Sequence, residues 1–225
     1  MFTEFTDVIF FAVLAAIIVY RLYSVLGRKD FDSDINSQIK TKKPEWFKDL
    51  NDKSKIIDLE AKEVSDADIL KKYGEQIAPK INELMKQDNN FKPDRFLQGA
   101  IKAFEMIIEA YAKGDKKTLE GLLDKHLYTN FNSAIDKRTA LGQVQQTTII
   151  SVKSTKITDI EIIKKMARIS VEIISEQVNI IKDNNGEIVE GHASQGAVIT
   201  EIWTFSRNIT SANPNWELVE TRAGE

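Results

Sequence analysis

Three patterns of apolar and polar residues follow one another along the chain. Val8 to Tyr20, VIFFAVLAAIIVY, is unbroken apolar sequence. As a helix that run measures about 20 Å, short of the roughly 30 Å of a bilayer core, but Phe2, Phe5, Leu22, Tyr23, Val25 and Leu26 lengthen it at both ends. Residues 1–27 read as an uncleaved membrane anchor helix, with Phe10, Phe11, Leu14, Ile17 and Ile18 supplying apolar surface and Tyr20 and Arg21 suited to the headgroup level. A secretory signal peptide is one rival, but it wants a basic start and Glu4 and Asp7 make this one acidic. A buried core helix is the other, which the modest length of the run suits. Arg21, Arg28 and Lys29 follow the run, so the positive-inside rule puts the rest of the chain in the cytoplasm. The acidic start is unlike a mitochondrial presequence, and a single-pass protein of a bacterial inner membrane is expected.

Residues 28–65 mix both signs of charge with Asn and Ser and few apolar clusters, the composition of a charged flexible tether. Within it Pro44-Glu45-Trp46-Phe47 reads either as a docking motif or as an incidental apolar pair.

From residue 66 the pattern becomes helical. Ile69, Leu70, Tyr73, Ile77, Ile81, Leu84 and Met85 fall near one stripe, with Pro79 expected to bend or break it. Pro93 suits a helix start and Gly114 a helix stop, and between them Leu97, Ile101, Phe104, Ile108 and Tyr111 form the expected buried stripe. A short helix and a longer one, carrying Leu127, Phe131, Ala134, Ile135 and Arg138, follow. Beyond Gly142 the period changes to two and Ile, Val and Thr dominate, as in strands. Ala167, Ile169, Val171 and Ile173 hold one parity, then Ile174, Val178 and Ile180 the other, a flip that predicts a β-bulge within that strand. Asp183 to Glu187, DNNGE, predicts a hairpin turn. The last strands are AVITEIWTFSRN and a stretch around Trp216 and Leu218. Helices first and an antiparallel meander after give an α+β domain over residues 66–225, its helices packed on a curved sheet.

Composition narrows the chemistry. The absence of cysteine excludes disulfides, thiolate metal sites and cysteine nucleophiles. A formal charge of −3 offers no electrostatic ground for nucleic-acid binding. His126 and His192 are the only histidines, and neither stands at ligand spacing from a second ligand. There is no glycine-rich phosphate loop and no G-x-S-x-G elbow. No metal, no cofactor and no enzymatic turnover are expected.

FLQGAIKAFEMIIEAYAKGDKKTLEGLL, YTNFNSAIDKR, AVITEIWTFSRN and NWELVET together resemble one known domain across residues 91–221. It is the C-terminal domain of the mitochondrial import-motor scaffold, subunit forty-four of the inner-membrane presequence translocase. The short N-terminal anchor is most similar to its bacterial members. The resemblance implies a cone of the nuclear-transport-factor-two-like kind. It also implies an adaptor that binds the inner membrane, acidic lipids and membrane or translocation proteins. The family's membrane-touching helix corresponds to Ile69–Lys86, which carries Lys71, Lys72, Lys80 and Lys86. The long N-terminal region with which mitochondrial members engage a chaperone has no counterpart here, so chaperone docking is not implied.

Two sets of residues are candidates for a site. Phe104, Ile108, Tyr111, Trp203 and Phe205 either line a lipid or small-molecule cavity in the cone, the alternative function, or simply pack its core. Glu201 stands in an otherwise apolar row of Ala197, Ile199, Trp203 and Phe205. A structural ion pair with Arg138 is expected; solvation at the cone's mouth and a functional acid are the other readings.

Overall fold

The computed structural model describes residues 65–224 apart from residue 195. The anchor of residues 1–27, the tether up to residue 64 and the Trp46–Phe47 pair lie outside the described residues, while Ser65, placed at the end of the tether, belongs to the first helix as its cap. Among those described, no helix is long and apolar enough to cross a membrane.

Among the described residues four helices precede five strands: α1 (Asp66–Gln87), α2 (Pro93–Lys113), α3 (Lys116–Glu120), α4 (Lys125–Ala140), β1 (Val144–Ile163), β2 (Met166–Lys182), β3 (Ile188–Gly191), β4 (Ala197–Asn208) and β5 (Glu217–Ala223). The domain is α+β, with helices against a single antiparallel sheet of order β1-β2-β4-β5. β3 pairs with β2 beyond the end of β4, so the two lie in line along one edge of β2.

Local chemistry sets most boundaries. Ser65 caps α1 by accepting the Asp68 N–H while Asp68 answers with a reciprocal bond. Pro93 opens α2, and Gly114 closes it at φ 70°, where its N–H reaches the Ala110 and Tyr111 carbonyls. Asp124 caps α4 by accepting the Leu127 N–H at 2.8 Å. Asp183 accepts from the Asn185 and Glu187 amides and so shapes the expected hairpin turn.

Three details differ from the sequence pattern. The break in α1 is at Gly74 (φ 78°, ψ 169°), not at Pro79. Asp66 and Leu70 before it share a groove with Ala78, Pro79, Asn82, Glu83 and Lys86 after it, so the first segment folds back over the second. Pro79 lies five residues beyond that break, and the second segment continues through it as helix. Second, the fully buried line of α2 is Phe96, Ala100, Phe104, Ile107 and Ala110. Leu97, Ile101, Ile108 and Tyr111 lie half-buried on its flank, because the small alanines let the helix sit closest to the sheet.

Third, β2 contains no bulge where it pairs with β4. Its register with that strand is unbroken from Met166 to Gln177, and burial alternates evenly through Ala167, Ile169, Val171, Ile173, Ser175 and Gln177. The inner row simply turns polar after Ile173, while Ile174, Val178 and Ile180 belong to the opposite face. The bulges are in β1, near Ile150, Lys153 and Thr158, where its register with β2 slips; such bulges bend and twist a strand.

The core lies between α2 and the inner face of the sheet. Phe104 meets Trp203 edge-on at 4.9 Å, and Phe96 meets Phe205 at 6.0 Å and Trp216 at 4.9 Å. Asp88, at the end of α1, pairs with Arg207 of β4, and both side chains are almost wholly buried.

Candidate functional site

α2 and β1 enclose a cleft of about 950 Å³. The helix contributes Ile101, Glu105, Ile108, Glu109, Ala112 and Lys113, and the strand contributes every residue from Gln145 to Thr155. Amphipathicity explains the helix wall: with Phe104 and Ile107 turned into the core, their neighbours Glu105 and Ile108 fall on the flank. Partial burial raises the Glu105 carboxyl above its ordinary range, opposed by the charge of Lys102. Glu109 is paired with Lys113 one turn on.

Beside this cleft the inner face of the sheet is polar. In register, Ser175 lies across from Val152 and Gln177 from Ile149, two cleft residues of β1. Ser175 and Gln177 are buried, and Gln177 donates to the Ser175 hydroxyl at 2.8 Å. Glu201 stands opposite Ile173 on one side and Ala223 on the other. The residue keeps a margin of solvent contact, but its carboxyl is deep enough that burial raises its pKa, against the influence of Trp203 and Gln177. The Trp203 indole N–H leans toward that carboxyl without closing a hydrogen bond of ordinary geometry.

The expected pairing of Arg138 with Glu201 does not occur. Arg138 donates to the Tyr111 and Ala112 carbonyls at 2.8 and 3.2 Å and to Gln145, and it lies 5.0 Å from the Tyr111 ring centre. α4 carries it to the C-terminal end of α2, whose open carbonyls and negative dipole end attract a cation. Among the described residues no cation comes within ion-pair distance of Glu201.

Because its pKa is higher folded than unfolded, Glu201 costs stability above the folded value. That cost shrinks as pH falls through the folded pKa and is gone below the ordinary value of 4.5. Glu201→Gln, which keeps an acceptor for Trp203, is expected to raise Tm at pH 7 by about 2–4 °C. Thermal unfolding at pH 7 and at about pH 4 checks this: a gain equal at both, or a loss at pH 7, would overturn it.

Of the five cavity candidates only Ile108 lines the cleft. Phe104, Trp203 and Phe205 are buried core, and Tyr111 meets Phe131 edge-on and lies against Arg138. Among the lysines of α1, Lys72 pairs with Asp94 and Lys80 with Asp159, while Lys71 and Lys86 are exposed. His126 and His192 are both exposed. The sequence reading missed the Asp88–Arg207 pair, whose partners are 119 residues apart. It missed the polar row as well, although Ser175 and Gln177 continue the parity of Ile173.

The Tim44-like domain family matches residues 77–223. A probable mitochondrial import inner membrane translocase subunit, tin-44 of Caenorhabditis elegans, is 27% identical over 67% of this chain and 36% of its own length. The chain thus spans about a third of that relative. The Rickettsia prowazekii protein RP434, itself uncharacterized, is 24% identical over 97% of both chains. Among solved structures, an NTF2-like putative dehydratase from Streptomyces avermitilis has a TM-score of 0.36 at 14% identity, covering 60% of this chain and 99% of its own.

Proposed function

Because the chain belongs to the Tim44-like domain family, we propose that it is a scaffold that gathers membrane or translocation proteins at the cytoplasmic face of a bacterial inner membrane. The family match across nearly the whole described domain carries this reading. The names of the mitochondrial relatives, translocase subunits of an inner membrane, agree with it. The apolar run of Val8–Tyr20 supplies the single-pass tether, and a tethered domain meets membrane partners at a raised local concentration. Lys71 and Lys86 add attraction to acidic lipid, about 1 kcal/mol for each lysine held at the surface. On this reading the protein acts by binding, not by turnover.

Photo-cross-linking in native membranes tests it. The intact chain is expected to capture a defined set of membrane proteins, and Leu14→Arg/Ile17→Arg, which spoils the anchor, is expected to lose most of them. Release of the intact protein by mild salt, or a complete partner set kept by the variant, would sink the scaffold.

The cleft between α2 and β1 favours one second reading, a carrier of a lipid or small molecule, since its volume suits such a ligand. A stoichiometric ligand surviving purification, seen by native mass spectrometry, supports that reading; an empty protein removes it.

A further inference from the structure

We propose that the free edge of β1, over Val144–Ile149, takes up an extended segment of a partner polypeptide as an added strand. The segment's side chains would alternate between apolar or β-branched residues and small polar ones, with a lysine or arginine opposite Glu105.

The first ground is the sheet order. β1 is outermost and pairs only with β2, so its other edge presents backbone donors and acceptors that no strand uses among the described residues. The cleft lies along that edge. Side chains alternate across a regular strand, so a cleft on one face would touch mainly every second side chain; over the regular stretch Gln145–Ile149, before the first slip in register, this one is lined by every residue.

The edge also lacks the usual protection. Exposed edges are commonly guarded by charge, proline or a bulge. From Thr139 to Val152 the sequence has no charged residue and no proline, and the first slip in register comes only after Ile149. Among the described residues no strand pairs with that edge over six regular residues, Val-Gln-Gln-Thr-Thr-Ile, before the bulge and Lys153 close it. The edge is uncharged and prone to strand pairing, which suits strand addition, where main-chain bonds give affinity and side-chain pockets give specificity.

The opposite wall decides the occupant. α2 presents Ile101 and Ile108 to apolar side chains, and Glu105 to a cation. Burial disfavours the Glu105 charge more than Lys102 favours it, and a second cation placed beside it relieves what is left of that penalty. Glu109 is taken up by Lys113. A second copy of the chain is the poorer fit, because its β1 would arrive with its own α2 beside the strand.

The proposal rests on the scaffold reading for its partner being a protein. The chain has no cysteine, so Thr147→Cys gives a unique site for an environment-sensitive fluorophore in the full chain in detergent micelles. The probe is the acetylated and amidated peptide Lys-Val-Thr-Val-Thr-Val-Lys. It is expected to change the label's emission saturably and to slow hydrogen exchange at the amides of Gln145–Ile149. N-methylation of alternate peptide nitrogens keeps the side chains and removes the donors, and should weaken binding about ten-fold or more. Glu105→Gln should weaken the lysine peptide roughly three-fold and leave a glutamine-ended version unchanged.

Equal binding of the N-methylated peptide, or no response at residue 147, overturns the proposal. Edge amides protected without peptide at every protein concentration would assign the edge to the chain's own N-terminal region; protection that grows with concentration would assign it to a second copy. Both outcomes overturn it. Membrane cross-linking is an independent readout. Partners captured there with no peptide binding here leave the scaffold standing and remove the edge, and the converse leaves a peptide-binding domain without its membrane role.

Discussion

Asp88→Ala is expected to lower the unfolding free energy by about 3–5 kcal/mol, the cost of stranding one member of a buried ion pair. The Asp88 and Arg207 side chains keep only 6% and 10% of their exposure. Asp88 also accepts the Asn90 amide at 3.1 Å, which shapes the turn out of α1. Among the described residues, the Arg207 guanidinium without Asp88 keeps the Trp216 face, 5.1 Å away, and its Nε already has no partner. Burial already depresses the Arg207 pKa, yet an arginine does not shed its proton in a protein, so the charge must stay and be solvated poorly. Urea unfolding followed by tryptophan fluorescence gives the loss, and the double variant Asp88→Ala/Arg207→Met should regain more than half of it. A loss near 1 kcal/mol, the worth of an exposed pair, would show that water reaches the pair.

Phe104→Ala should cost a similar amount, about 3–5 kcal/mol, and Phe104→Leu clearly less. The ring is fully buried and stands edge-on to Trp203. Removing it opens a hole between α2 and the sheet that the rigid β2–β4 pairing cannot close. The same substitution separates core from cavity: were Phe104 the wall of a ligand site, truncation would enlarge that site at little cost to folding. Unfolding with little change in midpoint would therefore contradict the placement of Phe104 in the core.

Elements whose boundaries rest on local chemistry were readable in the chain. Pro93 and Gly114 bracket α2, and the DNNGE turn joins β2 to β3, because each depends on residues within a few positions. The residues of the site were read less well. Arg138 has the spacing of a core residue on α4, and only the crossing of α4 over the end of α2 gives it carbonyls in place of the Glu201 carboxylate. Pro79 is the stronger helix breaker by type, yet the chain turns at Gly74, where a left-handed conformation is available at little cost.

The sequence by itself determined the class of the domain, the order of helices before strands, the start and stop of α2 and the family resemblance. All of these follow from the type and period of neighbouring residues. Tertiary structure alone decided that the inner face turns polar at Ser175, that Asp88 finds Arg207, and that among the described residues Glu201 finds no cation and β1 ends the sheet beside an open cleft. The reason is physical. Period shows which residues share a face, but what that face meets depends on strand order, register and helix crossing, and these are set by packing among residues far apart in the chain.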